Sequence, residues 1–191
     1  MAAKETFIEL RGQAIFAYSS WITYLYLRHV KEAKGSSQMV LLMNELYFTG
    51  IGIASQTHTT IGLHNLYDRE KNNTHNLEHL LSCCKKEGIL TEENLNKCQA
   101  LMASVASGVK ANSILRGNLF AHSGKSEHPK VFNKADFSLE NCENMFQVAF
   151  EILQIVAEAQ GFSIYKPEMI EEQVLGSNRQ ISQLLEQTYA K

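Results

Sequence analysis

Apolar residues recur every three or four positions along most of this chain, and no stretch alternates apolar with polar between turn signals. The first spacing gathers side chains on one face of a helix, whereas strict alternation would line one face of a strand. Helices are therefore expected throughout. The first covers about 5–33, with Phe7, Leu10, Ala14, Ala17, Trp21, Tyr24 and Leu27 or Arg28 on its stripe, and stops near Gly35. The second follows Ser36 or Ser37, either a suitable N-cap, and continues through Met43, Tyr47, Ile51, Ala54, His58 and Ile61 to Tyr67. Gly50, Gly52 and Gly62 interrupt it, each at a cost of about 1 kcal/mol relative to alanine, so close packing against a neighbour is expected in return.

A polar connector, DREKNNT (68–74), precedes a short third helix in HNLEHLLSCCKKEG, for which Asn73 or Thr74 can cap the start and Gly88 marks the end. Thr91, Glu92 and Glu93 open a fourth helix, since acidic residues suit the positive end of the helix dipole. Its stripe is the most regular in the chain: Leu95, Cys98, Met102, Val105, Val109, Asn112, Arg116 and Leu119 should all face inward. A fifth helix starts near Ser138 and carries Cys142, Met145, Ala149, Ile152 and Val156 to Gly161. Pro167 suits the first turn of a C-terminal helix with Met169, Val174, Ile181, Leu184 and Leu185, and Gly176 is a candidate kink. Pro129 and Pro167 both fall between these segments, so no long pattern is broken. The expected fold is an all-α bundle of four long helices plus one or two shorter ones, in one domain over 1–191.

Composition narrows the classes. With 191 residues, 45% hydrophobic and 20% charged, the chain matches an ordinary globular protein. Its formal charge of −2 excludes a uniformly positive surface, so any nucleic-acid contact must be local. Such a region exists: over 116–134, Arg116, Lys125, Lys130 and Lys134 oppose only Glu127, a net +3 that leaves −5 elsewhere. Cys83, Cys84, Cys98 and Cys142 form no C-x-x-C pair and resemble small apolar fillers, which suggests a reduced, cytoplasmic setting. The charged start MAAKETFIELRG is unlike a secretory signal. Residues 14–27 are too short to span a membrane and 46–67 too rich in Thr, Gln, His and Asn, so no membrane partner is expected.

Arg116 draws attention because an arginine on an apolar stripe must be paired, face a cleft or face a second copy. Asn112 lies one turn before it. His122 lies six residues after it, about 9 Å along an unbroken helix and on another face, so the two converge only where the helix ends between them. Together they would offer a cation for a phosphate and a group titrating near neutrality, the minimum for cleaving RNA through its own 2′-hydroxyl without a metal. One histidine cannot at once take a proton from the nucleophile and give one to the leaving oxygen, and a twofold dimer would supply the second. His75, His79 and Cys83 share a helix face, with His58 and His64 upstream, but no fourth ligand has a recognisable spacing, so neither metal nor cofactor is expected. No phosphate-binding loop is present, and the G-x-G at Gly50 and Gly52 lies inside a helical pattern.

LYDREKNNTHNLEHLL (66–81), followed some forty residues later by RGNLFAHSG (116–124), resembles the HEPN superfamily of helical domains, and within it the abortive-infection U-type branch. The resemblance covers about 5–160, with 161–191 as a helical extension. It maps Arg116 and His122 onto the family's arginine and histidine pair. It implies a homodimeric bundle whose two pairs share a cleft and, in active members, a metal-independent endoribonuclease used in phage defence or as a toxin. Arg116 would then stabilise charge on the phosphorane and His122 would move a proton. The family commonly places a polar residue directly after the arginine; here Gly117 stands there and Asn118 follows as the substitute. Asn112, Asn118 and Asp68 are the expected supporting residues, with Asp68 either capping the third helix or pairing with Arg116, and Lys125 and Lys130 the expected RNA contacts. The alternative is a non-catalytic HEPN module that binds RNA, a nucleotide or a protein such as an antitoxin.

Overall fold

The structure, a computed structural model, describes residues 2–32, 45–68, 74–121, 138–164 and 166–189. Among these residues it has seven helices and no strand: α1 (Ala2–Glu32), α2 (Glu45–Tyr67), α3 (Leu77–Lys86), α4 (Glu92–Ser104), α5 (Ala106–Ala121), α6 (Leu139–Gln160) and α7 (Pro167–Tyr189). The all-α class is as expected. The expected start of the second helix at Ser36 or Ser37 lies outside the described residues.

Local chemistry explains five of the helix ends. Ser138 caps α6 by accepting from the Asn141 N–H at 3.0 Å, and Thr91 caps α4 by accepting from Asn94 at 3.2 Å. The cap of α3 is Asn76, which accepts from His79 N–H at 2.7 Å, and not Asn73, Thr74 or Asp68 as the sequence suggested. At the other ends, Gly88 and Gly161 take left-handed backbone at φ 66° and 71°, where a Cβ would be strained. The Ile89 N–H then reaches the Cys84 carbonyl at 2.9 Å and the Phe162 N–H reaches that of Ala157 at 2.8 Å.

The chain divides into two compact units, Met1–Ile15 with Thr60–Ile164, and Phe16–Thr59 with Tyr165–Lys191. In the first, α6 is the central element and packs against α3, α4 and α5. Its Cys142, Met145, Ala149, Ile152 and Val156 are all buried, as their spacing predicts, and Phe146 and Leu153 join them. Phe7 from α1 stacks on Phe162 with centroids 5.8 Å apart, and Tyr67 donates to the Met145 carbonyl at 2.6 Å.

The expected fourth helix is two helices. Val105 leaves the helical ladder at φ −104°, ψ 11°, between α4 and α5. Before the break Leu95, Cys98, Met102 and Val105 are buried on the expected stripe. After it the buried face moves back one position, to Gly108, Ala111, Asn112 and Leu115, so that Arg116 is exposed. Gly108 explains the shift: a Cβ there would lie 3.3 Å from the Met145 sulfur, so the absence of a side chain brings α5 close to α6. Gly50 and Gly52, expected to mark close packing, would each place a Cβ in open space.

In the second unit Ala17, Trp21, Ile22 and Ile170 are buried, and polar bonds link α1 to α7: Tyr26 Oη lies 2.8 Å from Ser182 Oγ, and Asn178 donates to Thr23 Oγ1 at 3.4 Å. The inner face of α2 differs from the expected one. Ser55 and Thr59 are buried, with the Thr59 hydroxyl donating back to the Ser55 carbonyl at 2.8 Å, whereas Ala54 and His58 are exposed. That local bond satisfies the hydroxyl and allows a threonine to occupy an inward position. On α7, Met169, Ile181 and Leu184 are exposed rather than inward.

Candidate functional site

The expected site residues whose side chains can be placed lie on α5 (Asn112 and Arg116) and directly after α2 (Asp68), within the first unit. Side-chain bonds at two levels join α2 and α5, each spanning 52 residues of sequence. Asn112 Nδ2 donates to the Thr60 carbonyl at 3.0 Å, and Arg116 Nη1 donates to His64 Nε2 at 2.7 Å. Because 60 and 64 are one turn apart on α2, and 112 and 116 one turn apart on α5, the bonds are successive rungs between helices running in the same sense.

The rungs differ in environment. Asn112 is only 1% exposed, which matches the inward position its spacing predicts, and its Oδ1 has no hydrogen-bond partner among the described residues. Arg116 is exposed, and its pairing answers the requirement set by its spacing in a way the sequence did not name. The side chain of His64 is 10% exposed and that of Asp68, four residues on, 14%; Asp68 Oδ2 lies 3.8 Å from His64 Nε2. Of its two expected roles, Asp68 does not cap α3, and it approaches Arg116 by way of His64.

His64 is the residue that sequence reasoning misplaced, by grouping it with His58, His75, His79 and Cys83 as a distant metal candidate. The usable signal was the pair of turn spacings, 60/64/68 and 112/116, each joining polar groups along one helix face. The metal candidates have other contacts, and only His79 and Cys83 are shown against each other. His75 Nδ1 contacts the Glu9 carboxylate, His79 Nε2 lies 3.4 Å from Cys83 Sγ, and His58 packs on Phe16 at 5.4 Å. Among the described residues no group of three or more His, Cys, Asp and Glu could hold a metal ion.

Helix α5 runs through Gly117 to Ala121, so Gly117 does not end it. His122, Lys125 and Lys130 lie outside the described residues, as does the side chain of Asn118.

The cysteines are free thiols. Burial pushes Cys98 up to about 11 and Cys84 up to about 12, and raises Cys142 further, so these three are neutral fillers rather than nucleophiles. Burial likewise holds the Tyr67 phenol protonated, consistent with its bond to a carbonyl. Among the described residues of the site the exposed charged group is Arg116, whose planar fork can take the oxygens of a phosphate.

No described helix is long and apolar enough to cross a membrane. The model of a protein family, described as HEPN_AbiU2: AbiU2, matches residues 2–174. No curated protein and no solved structure matches the chain.

Proposed function

The chain belongs to the HEPN_AbiU2 family, an abortive-infection group of HEPN domains, and from that membership we propose that it is a metal-independent endoribonuclease acting in phage defence or as a toxin. Arg116 binds the scissile phosphate. The RNA 2′-hydroxyl attacks the adjacent phosphorus and the 5′-oxygen leaves, giving a 2′,3′-cyclic phosphate, with His122 moving a proton at one of these oxygens. A second copy of the chain supplies the other histidine across a twofold cleft, with Asn112 and Asn118 as supporting groups and Lys125 and Lys130 along the strand.

One observation carries this reading. Arg116 is exposed at the last turns of a helix whose neighbouring positions Asn112 and Leu115 are buried, and it is held there by a histidine instead of being neutralised in a carboxylate pair. The test is incubation of purified protein with single-stranded and structured RNA in EDTA. Cleavage is expected, and His122→Ala and Arg116→Ala should each lose at least about 100-fold in rate. Uncut RNA, or a His122→Ala variant as fast as wild type, would overturn the enzymatic reading.

Gly117 favours a second reading, because it supplies no polar group directly after the arginine. In that reading the module binds RNA, a nucleotide or an antitoxin without cutting. Expression toxicity relieved by Arg116→Ala supports the enzyme; binding of RNA without cleavage or toxicity supports the module.

A further inference from the structure

Arg116 is anchored by a neutral group. A guanidinium has donors and no acceptor, so in the 2.7 Å contact it donates and His64 Nε2 must offer a lone pair. The imidazole in that contact is therefore uncharged, with its proton on Nδ1. Asp68 Oδ2, 3.8 Å from the same nitrogen, is beyond hydrogen-bond distance of it. His64 and Asp68 are almost enclosed while Arg116 is exposed, so the anchor is inside and the charge outside.

This arrangement differs in kind from the usual way of fixing an arginine. A carboxylate in direct contact would take two donors of the fork and cancel its charge. An imidazole takes one donor and cancels nothing, and the rest of the fork remains available to an anion. The Asn112–Thr60 rung one turn below sets the register of the two helices and so the reach from α2 to Arg116.

We propose that His64 is a positioning residue for Arg116: a buried neutral acceptor that orients the guanidinium while leaving its charge and remaining N–H groups to an RNA phosphate. The proposal rests on the reading of Arg116 as a phosphate-binding group. His64 itself does not move protons on the substrate, because its Nε2 is committed to Arg116.

Two measurements on the full chain test it. The first needs no RNA: long-range proton–nitrogen correlation spectra at neutral pH should show His64 of the wild type as the Nδ1–H tautomer, and Arg116→Ala should abolish that preference. A wild-type His64 found as Nε2–H or as imidazolium overturns the proposal. The second is anisotropy with a labelled single-stranded RNA oligonucleotide. His64→Ala should weaken binding about tenfold, the loss expected when one charge-assisted bond no longer orients its donor. His64→Gln, whose amide oxygen is also a neutral acceptor, should restore most of the affinity. His64→Glu should remain as weak as His64→Ala even though it can grip the arginine, because it neutralises the charge. Thermal melts of all three identify any variant that fails to fold. If Arg116→Ala weakens binding and His64→Ala does not, this inference fails while the phosphate site stands. If Arg116→Ala binds RNA as well as wild type, the phosphate site fails and the tether loses the purpose assigned to it; the tautomer still reports whether the tether exists.

Discussion

Asn112 shows how a single polar residue can be legible in a sequence and incomplete without a structure. Its place on an apolar stripe required a partner, and the partner is a backbone carbonyl 52 positions away. Asn112→Ala removes the bond and vacates packed volume, so it should lower unfolding stability by about 1–3 kcal/mol, read from the urea midpoint. An unchanged midpoint would mean that the unpartnered Oδ1 costs as much as the bond contributes. The thiols make a second prediction at this scale. With Cys98 pushed up to about 11 and Cys84 up to about 12 by burial, folding favours their protonated forms. That stability is complete below the free thiol value of about 8.5 and is lost as pH rises toward the folded values. At pH 8.5, iodoacetamide should modify Cys84, Cys98 and Cys142 rapidly only after denaturation; fast modification of the native protein would contradict their burial.

Among the elements, α6 was almost fully readable: its capping serine, its terminal glycine and its five spaced core residues all hold. The α4 and α5 region was readable only up to Val105, because a one-residue break leaves the three-and-four spacing of apolar residues nearly intact while rotating the helix that follows. Gly108 fixes the new phase by admitting Met145. Gly108→Leu should therefore cost about 1–3 kcal/mol by overpacking. Gly108→Ala should be close to neutral, since about 1 kcal/mol of helix propensity offsets a 3.3 Å contact with a flexible methionine. Melting temperatures of the two variants check this, and equal values would place Gly108 outside the packed seam. On α2 and α7 the readable pattern failed for another reason. Thr59 satisfies its hydroxyl on the Ser55 carbonyl and goes inside with Ser55, and Ile181 and Leu184 remain outside.

For the molecule as a whole, the balance of charge decides how strongly any RNA could be held. A net −2 with a local excess over 116–134 leaves four cations, Arg116, Lys125, Lys130 and Lys134, to meet phosphates. The logarithm of affinity for single-stranded RNA should then fall against the logarithm of salt with a slope of about −3 per protomer. A slope near zero would exclude phosphate contacts by these residues. The sequence alone determined the all-helical class, the ends of α6, the inward faces of α4 and α6, and the choice of Asn112 and Arg116 as residues that needed partners. All of these follow from local spacing and capping chemistry, which neighbours in the chain carry within themselves. Only the tertiary structure decided that α5 turns Arg116 outward, that Thr60 and His64 meet it from α2, and that Asp68 stands behind His64. Those outcomes depend on which helix lies against which across 52 residues of chain, and periodicity within one helix holds no record of its neighbour.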